Sequence, residues 1–130
     1  MHMAQIEFTE AEFIINETNN IHFITSHADN ERAERMKKKP GRSQMGWINL
    51  FDKKNNFQKK WLDLMNQNPK RFVLALDNVW DGHWLRVYEQ KIYLWRKALA
   101  SLSIDTAVLI ACGNAKNYFN LNIKCQKDRE

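Results

Sequence analysis

Asp77, Asp81, Glu89 and Lys91 are residue types that hold a divalent cation beside a phosphodiester. An Asp followed at a distance by Glu-x-Lys supplies carboxylates for the metal and an ammonium for the developing charge. That chemistry needs the Glu and the Lys on a strand, where a period of two sends both side chains to one face. Here Glu89 and Lys91 fall in the clearest helical pattern of the chain, where residues i and i+2 point roughly 200° apart. The pair therefore reads as surface charge, and no catalytic residue is assigned. Ser26, His27 and Asp29 have the composition of a hydrolase triad but no Gly-x-Ser-x-Gly elbow, and a strand end followed by a helix cap accounts for them. His22, His27, His83, Cys112 and Cys125 lack the spacing of a zinc site. Gly41, Gly46, Gly82 and Gly113 are scattered, so there is no phosphate loop. Neither a metal nor a cofactor is expected. One enzymatic alternative stands: a small site built from Asp77, Asp81, His83 and Cys112, which requires those four to line one pocket.

The stronger chemical signal is charge. The net +5 of the 130 residues hides a marked asymmetry: residues 1–31 sum to −6, residues 32–71 to +9 and the remainder to +2. The middle contains "ERMKKKPGRSQMGW", cations around a Pro-Gly break, with a tryptophan at its end. Each phosphate contact made by a Lys or Arg releases condensed counterions, so several such side chains suffice for sequence-independent binding of nucleic acid. Lys37, Lys38, Lys39 and Arg42 are the first candidates for that contact. Arg35, Lys53, Lys54, Lys59 and Lys60 widen the footprint, and Trp47 is the candidate stacker on unpaired bases. Phe51 and Phe57 are also interleaved with the cations, although Phe57 and Trp61 at i, i+4 suit a core face equally.

These residues must be positioned by elements, and the sequence predicts the following order. A short strand covers 4–8. A helix follows it, with Thr9 and Glu12 as a capping box. Residues 20–26 alternate as a strand. Asp29 caps a helix that Pro40-Gly41 ends, which leaves 36–46 as a basic loop or arm. Two helical segments divide near Asn55-Asn56, and Asn68-Pro69 ends the second. "RFVLALD" (71–77) is a continuous apolar run of buried-strand length. Leu85, Tyr88, Ile92, Trp95, Leu99 and Leu102 recur at helical spacing over 82–102. "TAVLIAC" then reads as a second buried strand, and "GNAKN" with "YFNLNIKC" as a turn and a third strand. The expected fold is a single α+β (mixed α/β) domain over 1–130: a four- or five-stranded mixed sheet containing a βαβ unit and a C-terminal hairpin, packed by helices.

Composition bounds the setting. At 44% hydrophobic and 12% aromatic, with four Gly and two Pro, the chain is built to fold. No run approaches the ~18 apolar residues of a membrane span, and no basic region followed by an apolar stretch opens the chain. Cys112 and Cys125, outside any Cys-x-x-Cys pair, are expected to be free thiols in a reducing, cytoplasmic setting, the alternative being a single disulfide where two neighbouring strands place them opposite each other. Met1-His2 reads as a cloning remnant, so His2 enters no ligand set. Fourteen Asn and an excess of Lys over Arg point to an A/T-rich genome, as in many bacteria, phages and mobile elements. The expected partner is nucleic acid, DNA or RNA, or else an acidic protein surface. For the latter, the wide apolar stripe of 82–102 suits an inhibitor or adaptor and allows self-association.

Overall fold

The computed structural model describes residues 1–3, 6–26, 28 and 48–126. The helix expected from Asp29 and the 36–46 arm therefore lie outside the described residues, as do residues 4 and 5 of the strand expected at 4–8; the rest of that expectation is corrected, since Ile6 and Glu7 are in no strand and Phe8 opens a helix. Helix α1, Phe8–Glu17, is capped by Glu7, two residues before the expected cap Thr9, and the Glu7 N–H donates to Glu10 Oε2 at 3.2 Å. It buries Ala11 and Ile15, with Phe8 and Ile14 against the same core, a spacing that puts one stripe inward. Its C-terminal carbonyls are closed from a distance. The Arg71 guanidinium donates to the backbone oxygens of Ile15, Thr18 and Ile21 at 3.2, 2.6 and 2.7 Å. Carbonyls left over at a helix end take whatever donor the fold supplies. Arg71, one of the cations behind the +9 of residues 32–71, is thus structural.

Strand β1, Phe23–Ile24, pairs in parallel with β2, Phe72–Val73, in the register Phe23↔Phe72 and Ile24↔Val73. Both phenylalanines are fully buried and their rings stack at 5.6 Å, each contributing about 1.5–3 kcal/mol by leaving water. Thr25 prolongs the pairing, its N–H donating to the Val73 carbonyl at 3.0 Å and its Oγ1 accepting the Ala75 N–H at 3.1 Å. These two strands are the whole sheet among the described residues. This corrects the expected four- or five-stranded mixed sheet with its βαβ unit and C-terminal hairpin.

The physical reason lies in residues 103–118. Ser103 Oγ accepts the Thr106 N–H at 3.2 Å, an N-cap that starts helix α4, Ile104–Val108. The chain continues through a wide i→i+5 turn, Leu109–Gly113, into α5, Asn114–Tyr118. This helical rod lies where the second buried strand and the turn after it were expected, and takes over that strand's hydrogen bonding. The Ile110 carbonyl accepts the Leu74 N–H at 2.9 Å, and the Asn114 side-chain amide donates to the carbonyls of Pro69 and Phe72, both at 2.7 Å. The free edge of β2 is thereby satisfied by a helix. The remaining tail, 119–126, is clipped back by a disulfide between Cys112 and Cys125, with Cα atoms 5.7 Å apart. The two cysteines are bonded, correcting the expectation of free thiols.

Between β1 and β2 in sequence, Phe51 and Phe57 face each other in an antiparallel bridge around a tight turn, where Asn55 adopts φ 62°. The first of the two helices expected around Asn55 is absent from 48–56, since Asp52 draws the backbone into this turn. The second is α2, Lys59–Gln67, which buries Trp61, Leu64 and Met65. Residues 81–99 run helical, as a wide turn over His83–Val87 and then α3, Tyr88–Leu99. Trp95 packs edge-on against Phe51 at 5.0 Å and Phe57 at 6.1 Å, so both phenylalanines belong to the core. At the other end of the chain Met3 is also fully buried, and His2 bridges Ile24.

Candidate nucleic-acid interface

The turn before α2 is organised by one carboxylate. Asp52 Oδ1 accepts the N–H groups of Asn56 at 3.0 Å and Lys54 at 2.8 Å. The Asn56 N–H above all lowers the Asp52 carboxyl below its ordinary pKa; desolvation opposes it, and the Lys54 N–H, the Asn56 side chain and the Lys54 charge add smaller lowering effects. Asp52 therefore stays ionised, and the turn presents Lys53 and Lys54 outward on a fixed backbone. The Lys97 ammonium reaches across from the end of α3 and donates to the Lys54 carbonyl at 2.9 Å. That contact joins the basic turn to Arg96 and Lys97, forty residues further along the chain.

Arg96 and Lys97 also close one end of a groove of about 460 Å³ on the outer face of α3, whose other walls are Tyr88, Glu89, Ile92 and Tyr93. Tyr93 is 73% exposed, and one turn before Tyr88 the ring of Trp84, 56% exposed, lies 5.2 Å from the Tyr88 ring. The face thus runs from aromatic rings at its N-terminal end to cations at its C-terminal end, with Glu89 as its one carboxylate.

Of the cations singled out in the sequence, Lys53 and Lys54 stand at this face. Lys59 and Lys60 stand in the first turn of α2, where Lys59 pairs with Asp63 at 2.7 Å and the Lys60 ammonium lies 5.2 Å from the centre of the Phe8 ring. Arg35, Lys37, Lys38, Lys39, Arg42 and Trp47 lie outside the described residues. Arg96, Lys97, Tyr88 and Tyr93 were missed by the sequence reading. Their own helix gives no sign that a turn forty residues earlier comes to rest beside them.

The enzymatic alternative loses its thiol, because Cys112 is bonded to Cys125. His83 Nδ1 is engaged in accepting the Val79 N–H at 3.3 Å. Among the described residues no group of three or more His, Cys, Asp or Glu side chains is placed to hold a metal ion. Glu89 and Lys91 both lie in α3, two residues apart on a helix. A second groove, of about 470 Å³, is lined by Ile21, His22, Ile24, Val73, Tyr118 and Phe119 together with Met1 and Asn20, and has no Lys or Arg in its walls. There the Tyr118 hydroxyl donates to the Lys70 carbonyl, and burial raises its pKa, partly offset by the charge of Arg71. No described helix is long and apolar enough to cross a membrane. Comparison with family models, curated proteins and solved structures finds no match to this chain.

Proposed function

We propose that this chain is a non-catalytic nucleic-acid-binding accessory protein that grips phosphates with its cationic middle, acting in the cytoplasm of a bacterium, or with a phage or mobile element. The observation that supports this most directly is the Lys97–Lys54 contact, which joins the turn of Lys53 and Lys54 to Arg96 and Lys97, four cations against the two carboxylates of Asp52 and Glu89. The +9 of residues 32–71 adds to the same field. Lys59 and Lys60 support the reading differently. Lys59 is paired with Asp63 and Lys60 lies over the Phe8 ring, so these two add positive charge near the turn rather than free phosphate contacts.

Fluorescence anisotropy against labelled duplex and single-stranded oligonucleotides at 50 and 200 mM salt tests the reading. Binding should weaken steeply with salt, and Lys53→Ala with Lys54→Ala should lower the slope of log K against log salt by roughly 1.5–2 for duplex. Replacing Lys37, Lys38 and Lys39 by Ala should weaken binding across all sequences. No binding at 50 mM salt, or affinity indifferent to these replacements, refutes it.

A second reading, a protein-binding adaptor or inhibitor, is favoured by Val79, Trp80 and Leu85, three large apolar side chains exposed on the segment that leads into α3. Light scattering over a range of protein concentrations separates self-association on that patch from a monomer.

A further inference from the structure

Resting on the phosphate-grip reading above, we propose that the outer face of α3 is a stacking platform for unpaired bases, with Tyr93 as its central ring, so that the protein prefers single-stranded nucleic acid to duplex. A strand without a complement exposes the flat faces of its bases, and an aromatic side chain gains by covering one whatever the base is. Such a platform needs a planar ring in solvent, a cation within one turn of it for the adjoining phosphate, and few carboxylates nearby. The outer face of α3 has all three.

Tyr93 is exposed, although it sits in the same helix as the buried Trp95, and one turn beyond it come Arg96 and Lys97. Arg96 lines the groove beside Tyr93, and its planar guanidinium suits a phosphate or a base face. Lys97 is anchored on the Lys54 carbonyl, which joins the backbone of the basic 53–54 turn to the end of this face.

The length also suits a strand. Tyr88, Ile92 and Arg96 follow one another at four-residue steps in α3, a row of roughly 12 Å at 1.5 Å per residue, and the Trp84 ring, 5.2 Å from that of Tyr88, extends it by about one further step. That matches about five nucleotides at the 3.4 Å rise of a stacked strand. A duplex hides the base faces that Tyr93 and Trp84 would cover and offers this surface only its phosphates, so the rings add affinity for one strand form alone. An acidic protein would use the cations equally well but gives no reason for Tyr93 to stand in solvent one helical turn from them, with the exposed Trp84 ring further along.

The test is a set of anisotropy titrations with labelled dT12, rU12 and a 12-base-pair duplex at 50 and 200 mM salt, using the full chain and its Tyr93→Ala, Tyr93→Phe and Arg96→Gln variants. The dT12 and rU12 arms separate DNA from RNA as the natural source of the strand, and preference for either supports the platform. Single strands should bind at least tenfold more tightly than duplex. Tyr93→Ala should weaken single-strand binding by roughly 5- to 100-fold, with the duplex affinity and the salt slope unchanged. Tyr93→Phe should keep the wild-type preference, since the ring is retained. Arg96→Gln should weaken both strand forms and flatten the salt slope. If single strands and duplex bind alike, or Tyr93→Ala leaves their ratio unchanged, the platform is wrong while the phosphate grip stands. If nothing binds at 50 mM salt, the grip has failed and the platform with it. Because Tyr93 is in solvent, its replacement should not disturb folding, and the duplex arm verifies that in the same experiment.

Discussion

Asn114 shows how much can depend on one polar side chain. It is 1% exposed, and its amide nitrogen serves two carbonyls, of Pro69 and Phe72, that flank the short β2 strand. Buried amides are hydrogen-bonded because leaving one unpaired costs about 1–3 kcal/mol. Here the amide is the donor that lets a helix close a sheet edge. Asn114→Ala should therefore destabilise the fold by about 2–4 kcal/mol, from two carbonyls losing their donor and a small cavity left behind. Asn114→Asp should fare worse, because a carboxylate at that position faces two carbonyl oxygens and brings no amide donor. Urea unfolding of the three proteins checks this, and a loss below 1 kcal/mol for Asn114→Ala contradicts the edge-closing role. In the sequence the same residue stood in "GNAKN" and read as a turn, since Gly-Asn is turn chemistry wherever local signals alone decide. Its partners lie more than forty residues away, so nothing nearby in the chain announced them. The cations divide in the same way. Lys53 and Lys54 were legible as candidates by type, whereas Arg96 and Lys97 join them only through the Lys97–Lys54 contact. Phe51 and Phe57, as close to the cations as Trp47 is, proved to be core.

At the level of elements, the helix of 82–102 was legible and its buried face only half so. The expected stripe runs Leu85, Tyr88, Ile92, Trp95, Leu99, Leu102. Trp95, Leu99 and Leu102 are buried, but Leu85 is 83% exposed. The wide turn over His83–Val87 explains the difference: an i→i+5 turn holds one residue more than an α-turn and rotates everything before it by about a hundred degrees relative to the stripe. That slip sets the first part of the helix free of the core and leaves Trp84 and Leu85 in solvent. Leu99→Ala should consequently cost about 2–5 kcal/mol, whereas Leu85→Ala, chemically the same deletion, should stay within about 0.5 kcal/mol of wild type. Thermal unfolding of the two variants decides between this phase break and a continuous stripe, which would penalise both. The strand expected at 105–112 failed for a different reason. "TAVLIAC" is apolar throughout, and a run without periodicity does not distinguish a buried strand from a buried helix. The deciding signal was Ser103, three residues before Thr106, acting as an N-cap with Asp105 in the first turn. The β1 strand, by contrast, alternates cleanly and appears within the expected 20–26.

For the molecule as a whole, stability and binding rest on different parts. The core draws on Met3, α1, both strands, α2, α3 and the 104–118 rod, so its residues are spread along the described chain and should unfold together. The Cys112–Cys125 bond adds to that stability from the edge. It spans 13 positions, and closing a loop of that size removes enough freedom from the unfolded chain to stabilise the fold by about 3 kcal/mol. A single domain is worth about 5–15 kcal/mol in total, so breaking the bond should weaken the protein without unfolding it. Cytoplasmic thiols would break it. Neither cysteine lines the α3 groove or takes part in the Lys54–Lys97 contact. Scanning calorimetry with and without a thiol reductant should therefore show one transition in both cases, lower by roughly 10 °C when reduced. Anisotropy titrations in the same two buffers should give the same affinity for single strands. An affinity that falls with reduction would mean that the tail beyond Asn120 belongs to the binding surface. A transition temperature indifferent to reduction would mean that the clip constrains only the tail and contributes nothing to the fold.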